Sequence, residues 1–197
     1  MNADALVLTH GAGSNRNAPL LILLDSAFTA AGYLVLRYDL PFRVKRPNGP
    51  PSPASAALDR QGLHDAVMGM RARTSGRVFL GGHSYGGRQA SMLAAAEPGL
   101  ADGLLLLSYP LHPPRCPLQL RTAHFPLLQT PAVFVHGTRD PFGSIEELQS
   151  AVALIPGTAG LIAIEGAGHD LKRAGVDRTV LDVFQRTFGE LTMGAAD

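Results

Sequence analysis

The sequence predicts an α/β fold: a doubly wound, mainly parallel six-stranded sheet with helices on both faces. Three observations carry that expectation. Short continuous apolar runs recur along the chain, as strands buried on both faces of a parallel sheet require. Stretches with apolar residues at helical spacing lie between them. The two alternate strand, helix, strand, helix six times over, the rhythm of βαβ units with right-handed crossovers. The 197 residues suit one domain over 1–197, with no internal repeat and no boundary.

Each element follows from local sequence. Ala5 to Thr9 is an apolar run and the first strand. Pro19 to Ala31 carries Leu20, Leu23, Leu24, Ala27, Phe28 and Ala31 at helical spacing, with Gly32 as the stop. Tyr33 to Tyr38 is the second strand. Pro41 to Pro53 holds five prolines and the basic residues Arg43, Lys45 and Arg46, so a loop is expected there. Ala54 to Arg73 is a helix with an apolar stripe of Leu58, Leu63, Ala66, Val67 and Met70. Val78 to Gly81 is a strand and Arg88 to Ala96 a helix. Gly103 to Ser108 is a fourth strand, and Tyr109 to Thr130 is irregular, with one short helical turn around Ala123 to Leu128. Ala132 to His136 is a fifth strand. Ser144 to Ile155 is a helix with Ser144 and Glu147 at capping-box spacing. Gly160 to Glu165 is the sixth strand, and Gly175 to Phe188 the last helix.

Composition narrows the function classes. The net charge is +1 and 17% of residues are charged, so no basic face for nucleic acid is implied. The sole cysteine, Cys116, forms no intrachain disulfide and lacks a nucleophile signature around it. The N-terminal stretch lacks the pattern of a secretory signal, and the run Leu20 to Leu24 is too short to span a bilayer. A soluble cytoplasmic protein is expected, with no membrane partner. No His-Glu-x-x-His or paired-Cys spacing implies a metal, and no Gly-x-Gly-x-x-Gly follows a strand, so no cofactor is expected.

The chain is organised around Gly82-His83-Ser84-Tyr85-Gly86-Gly87. A Gly-x-Ser-x-Gly pattern between a strand and a helix reads as a nucleophile elbow, against the plainer reading of a tight structural turn. Ser84 then stands above the sheet at a helix N-terminus. Asp140 follows the fifth strand and His169 the sixth, in glycine-containing loops. The set needs all three: a base to take the serine proton, and a carboxylate to fix and stabilise the base. Glu165 competes for the acid role. Asp170 adjoins the histidine and points away from it. His10 and His136 read as packing or loop-shaping groups, and His83 as pointing away from the Ser84 side. The oxyanion donors are expected at the backbone N–H of Tyr85 and of Ala12 or Gly11, in the His10-Gly11-Ala12-Gly13 turn. Arg43, Arg88 and Arg139 are candidates for binding an anionic substrate, against the plainer reading of internal ion pairs and solvated loop residues.

The stretches Thr9-His-Gly-Ala-Gly-Ser-Asn15, Arg37-Tyr-Asp-Leu-Pro-Phe-Arg43, Gly81-Gly-His-Ser-Tyr-Gly-Gly-Arg-Gln-Ala90, Phe134-Val-His-Gly-Thr-Arg-Asp-Pro-Phe-Gly143 and Gly166-Ala-Gly-His-Asp170 resemble the α/β-hydrolase superfamily. More narrowly, they are similar to its small cap-less family, which includes the testis-expressed protein and the hydrolase-like domain of the third NSL-complex subunit. The resemblance implies the triad Ser84, Asp140 and His169 and a minimal fold without a lid domain, in which the first two antiparallel strands of larger relatives are missing. It implies no particular substrate. The expected activity is a serine hydrolase acting on a small-molecule ester or thioester through an acyl-enzyme. The alternative is a non-catalytic binding or scaffolding module on the same fold.

Overall fold

The computed structural model describes residues 2–193. Met1 and residues 194–197, the ends of the expected 1–197 domain, lie outside the described residues. The strands β1 (Ala5–Thr9), β2 (Leu34–Tyr38), β3 (Val78–His83), β4 (Leu104–Leu107), β5 (Ala132–Gly137) and β6 (Ala159–Ile164) form one sheet of order β2-β1-β3-β4-β5-β6. Every pairing is parallel. The chain steps from β1 out to β2, returns to the other side of β1 at β3, and then runs to the far edge. This reversal puts a switch point between the carboxyl ends of β1 and β3, where open α/β sheets bind ligands.

Among the described residues six α-helices cover the sheet: α1 (Pro19–Ala30), α2 (Pro41–Lys45), α3 (Ala56–Arg71), α4 (Tyr85–Ala96), α5 (Ile145–Val152) and α6 (Val176–Met193). Alternate strand residues serve opposite faces. Val7, Leu80, Leu106 and Phe134 pack with residues of α3, α4 and α5, while Leu6, Leu8, Phe79, Leu105 and Val133 pack with α1 and α6. With both faces covered, the central strands must be continuously apolar, which is why they read so plainly. Phe79 lies 4.8 Å from Phe184 and 4.9 Å from Phe188, and Phe184 lies 5.0 Å from Phe28 of α1. Such ring pairs add about 0.5–1.5 kcal/mol each beyond the area they bury.

Local chemistry sets the element ends. Pro19 occupies the start of α1, where its missing N–H has no partner to lose, and Gly32 takes φ 93° just past the helix. Ser144 Oγ accepts from the Glu147 N–H while the Glu147 carboxylate accepts from the Ser144 N–H, closing the expected capping box of α5.

The structure corrects three expectations. The proline-rich segment is not all loop, because Pro41–Lys45 forms α2. Pro41 sits in the first turn, where proline is tolerated, and the buried Asp59 accepts from the Phe42 N–H at 2.9 Å. Helix α4 begins at Tyr85 rather than Arg88, since its glycine-bearing first turn is held by contacts with β3 and the loop after β1. In α3 the buried stripe leaves out Leu58, which is exposed, and includes Asp59. Among the described residues no helix is long and apolar enough to cross a membrane.

Candidate active site

The turn from β3 to α4 is built by close approach. A Cβ on Gly82 would lie 2.5 Å from the Gly87 nitrogen, and one on Gly86 would lie 2.6 Å from the His10 carbonyl oxygen. Only hydrogen fits at either place. Strand and helix therefore nearly touch, and Ser84 between them is forced to φ 51°, ψ −116° as the N-cap of α4. A non-glycine residue in this region carries about 1–3 kcal/mol of strain. The strain lifts the Ser84 hydroxyl off the sheet.

Two loops bring their side chains to that hydroxyl. Ser84 Oγ–H donates to His169 Nε2 at 2.8 Å, and His169 Nδ1–H donates to Asp140 Oδ2 at 2.8 Å. A carboxylate only accepts, so Nδ1 carries the proton and Nε2 offers its lone pair to the serine. The Asp140 side chain is wholly inaccessible, whereas His169 keeps 25% of its side-chain surface exposed. Burial works to raise the Asp140 pKa. The His169 hydrogen bond and charge and the Phe142 N–H outweigh it, and the group lies below the ordinary carboxylate range. Glu165 is exposed, and Asp170 pairs with Lys172 at 3.2 Å, so neither competes for His169.

The loop after β1 stands against the elbow. A Cβ on Gly11 would lie 3.4 Å from the Ser84 Cβ. Among the described residues the N–H groups of Gly11, Ala12 and Tyr85 have no protein acceptor. They are the N–H groups that the sequence offered as candidate oxyanion donors. His10 fixes this loop: its Nδ1–H donates to the Gly11 carbonyl at 2.8 Å, and its Nε2 accepts from the Leu40 N–H at 3.1 Å. Burial lowers the His10 pKa, which keeps the ring neutral in this role.

Four residues support the site: sequence reasoning missed three of them and read the fourth, His136, as a packing or loop-shaping group. His83 faces the histidine loop: its Nε2–H donates to the His169 carbonyl at 2.7 Å, and the two rings lie 5.1 Å apart. Burial pushes its pKa down, so the ring is a neutral donor. Phe142 lies across His169 with centroids 4.3 Å apart. Asp59 receives the Tyr85 hydroxyl at 2.8 Å as well as the Phe42 N–H, tying the elbow to α2 and α3. His136 Nε2–H donates to the Gly143 carbonyl at 2.9 Å, with Asp140 Oδ2 3.7 Å away, and holds the acid loop. Of the three missed, His83 alone had a sequence signal, its place beside the serine.

The three arginines divide. Arg43 is corrected from substrate ligand to clip: it is 7% exposed and spends all its N–H groups on the carbonyls of Ala12, Ser14, Arg46, Pro47 and Gly49. No donor is left for a ligand, and the clip ties the β1 loop to the segment after α2. Arg139 is exposed, and among the described residues its side chain makes no hydrogen bond or ion pair. Arg88 lies one turn into α4 with its Nε buried and unpartnered. Neither Arg88 nor Arg139 serves an internal ion pair among the described residues.

A cavity of about 660 Å³ opens beside the site, lined by Leu20, Leu21, Leu23, Leu171 and Val176, with His83 in its wall. Its lining explains why Leu23, in the expected core stripe of α1, stays 41% exposed. Among the described residues no cluster of three or more His, Cys, Asp or Glu could hold a metal ion.

Comparison with known proteins agrees with this architecture. A dienelactone hydrolase from Anabaena variabilis superposes with a TM-score of 0.75 at 20% identity, over 96% of this chain and 87% of that one. Est1E from Butyrivibrio proteoclasticus gives 0.73 at 14% identity, over 95% and 89%. XC6422 from Xanthomonas campestris, a serine hydrolase without lid, gives 0.70 at 14% identity, over 92% and 81%. These likenesses establish the fold, a six-stranded parallel sheet with helices on both sides and no separate lid domain. The sequence itself matches the family described as "Alpha/beta hydrolase domain" over residues 2–191, and the chain belongs to that family.

Proposed function

We propose that this protein is a serine hydrolase that cleaves a small carboxylic ester or thioester through an acyl-enzyme on Ser84. The observation that carries the reading is the continuous relay from Ser84 Oγ to His169 to Asp140, with both hydrogen bonds at 2.8 Å. His169 Nε2 takes the hydroxyl proton as Oγ attacks the acyl carbon. Asp140 holds the imidazolium that forms. The N–H groups of Tyr85 and Ala12, with Gly11 beside them, receive the oxyanion; loss of one such donor typically costs about 10²–10³ in rate. His169 then returns its proton to the departing alcohol or thiol. Water repeats the sequence and frees the acid. The Leu-lined cavity beside His83 suits an apolar part of the substrate. The α/β-hydrolase domain family and its esterase neighbours are consistent with this chemistry. The narrower likeness to the cap-less family adds no substrate, and a cytoplasmic location agrees with the unpaired Cys116.

The test is hydrolysis of p-nitrophenyl acetate and butyrate by the wild type and by Ser84→Ala, with fluorophosphonate labelling in parallel. Turnover and labelling that both vanish in Ser84→Ala support the reading. Folded wild-type protein that neither turns over nor labels rejects it in favour of the binding or scaffolding module.

A further inference from the structure

Arg88 is a cation without a structural task. Its Nε is sealed from solvent, and no described residue accepts a hydrogen bond from its side chain. No described carboxylate pairs with it. Among the described residues it stacks on no ring either; the cation–π contacts there are those of Arg43 on Phe42 and Arg77 on Phe79. A buried donor left unpaired is destabilising, the more so when it is charged. Two other arginines, Arg43 and Arg77, are by contrast engaged at every guanidinium nitrogen, the first by five carbonyls and the second by Asp4 and the Phe188 carbonyl.

The surroundings of Arg88 are cationic as well. Arg121 stands close enough that the Arg88 charge, after burial, helps to lower its pKa. Its guanidinium reaches one acceptor, the Pro110 carbonyl at 3.2 Å. His124 is hydrogen-bonded to Ser91 at 2.8 Å, and burial followed by the Arg88 charge holds its pKa down to about 4. Ser91 lies one turn beyond Arg88 and His124 three residues beyond Arg121, so their hydrogen bond seats both arginines at the contact between α4 and the segment after β4, and among the described residues neither has a carboxylate partner.

The place is fixed by two connections to the catalytic residues. The Arg88 N–H donates to the Ser84 carbonyl at 3.0 Å, so Arg88 sits one helical turn below the nucleophile. Long side chains on a helix lean toward its N-terminus, here the catalytic face. Across from it, the Tyr109 hydroxyl donates to the Arg121 carbonyl at 2.7 Å and the Arg121 N–H to the Leu111 carbonyl at 2.8 Å. The next residue, His112, donates its N–H to the Phe142 carbonyl at 3.1 Å, and the Phe142 ring lies on His169. Backbone hydrogen bonds thus link the Arg121 end of the segment after β4 to the loop whose Phe142 lies on His169.

We propose that Arg88 and Arg121 form an oxyanion-binding site next to Ser84, which takes a carboxylate or phosphate group. Planar guanidinium groups hold such groups by paired, charge-assisted hydrogen bonds. Two sources share this chemistry: an acid group carried by the substrate, or free inorganic phosphate. The first deepens the hydrolase reading and rests on it; binding of the anion does not.

The experiment has a binding arm and a kinetic arm, both at low ionic strength, where exposed charges are least screened. In the binding arm, calorimetric titration of folded Ser84→Ala with glutarate and with inorganic phosphate is compared with the double variants that add Arg88→Gln or Arg121→Gln. Binding that weakens roughly tenfold to a hundredfold in either double variant is expected. In the kinetic arm, wild type and Arg88→Gln hydrolyse mono-(4-nitrophenyl) glutarate and 4-nitrophenyl pentanoate. A drop of about tenfold or more in the ratio of their kcat/KM values on substitution assigns the site to a substrate-borne acid. An unchanged ratio, with phosphate bound and lost in the double variants, assigns it to the free anion. If neither anion binds to folded Ser84→Ala and the ratio is unchanged, the proposal is overturned. A protein that binds the anions but hydrolyses neither ester retains the site and loses the hydrolase reading.

Discussion

Replacing Asp140 by Asn tests the relay at its least visible member. The carboxylate meets two donors, His169 Nδ1–H at 2.8 Å and the Phe142 N–H at 2.9 Å, and its side chain has no solvent contact. An amide of the same shape offers one oxygen and one NH2. If the oxygen keeps the Phe142 N–H, the NH2 faces Nδ1 and selects the imidazole with its proton on Nε2. That tautomer cannot take the Ser84 proton. A loss of about 10⁴ in kcat is expected, which corresponds to roughly 5–6 kcal/mol at the usual 1.36 kcal/mol per factor of ten. Stability should change with pH as well. Because the folded Asp140 pKa lies below its unfolded value, the wild type has stability above the unfolded pKa that disappears as pH falls through the folded one. Asp140→Asn should lack that acid-side decline. The assays are kcat on p-nitrophenyl acetate, fluorophosphonate labelling rate and Tm against pH. A folded Asp140→Asn protein within tenfold of wild-type kcat would refute the reasoning, as would a larger loss in Glu165→Gln.

Three further outcomes are expected. Gly86→Ala puts a methyl 2.6 Å from the His10 carbonyl oxygen and 2.6 Å from Thr9 Cγ2, so it should destabilise by about 1–3 kcal/mol and cut activity; an unaltered Tm would contradict the close approach. His83→Ala removes the donor to the His169 carbonyl and should lower kcat about tenfold with KM little changed. His83→Gln, which keeps a donor, should recover part of the loss; full kcat in His83→Ala would end that assignment. Arg43→Ala strips five carbonyls of their donor and should lower stability by about 1–3 kcal/mol, with equal effects on neutral and anionic esters. A loss confined to anionic esters would return Arg43 to substrate binding.

The sheet was legible because covering a parallel strand on both faces leaves little choice of residue. Leu104–Leu107 and Ala132–Gly137 are nearly all apolar for that reason. The candidate site was legible where its residues are tied to strand ends, as Ser84, Asp140 and His169 are. What stayed hidden depends on long-range pairing of backbone groups, which leaves no periodic trace. Arg43 satisfies carbonyls up to 31 residues away, and a guanidinium in a proline-rich segment looks solvated until those carbonyls are located. Asp59 makes the point most sharply. Hydrophobic periodicity selected its neighbour Leu58 for the core, yet Leu58 is 42% exposed and Asp59 is 0%. Periodicity ranks residues by transfer energy, and an unpaired carboxylate ranks last. Burial becomes acceptable only because the Phe42 N–H and the Tyr85 hydroxyl both reach it, and those partners come from the proline-started α2 and from the elbow itself. A polar residue in the core of α3 is thus the tie between the Ser84 turn and the segment bracing the β1 loop, and its place follows from the candidate site rather than from its own stretch of sequence.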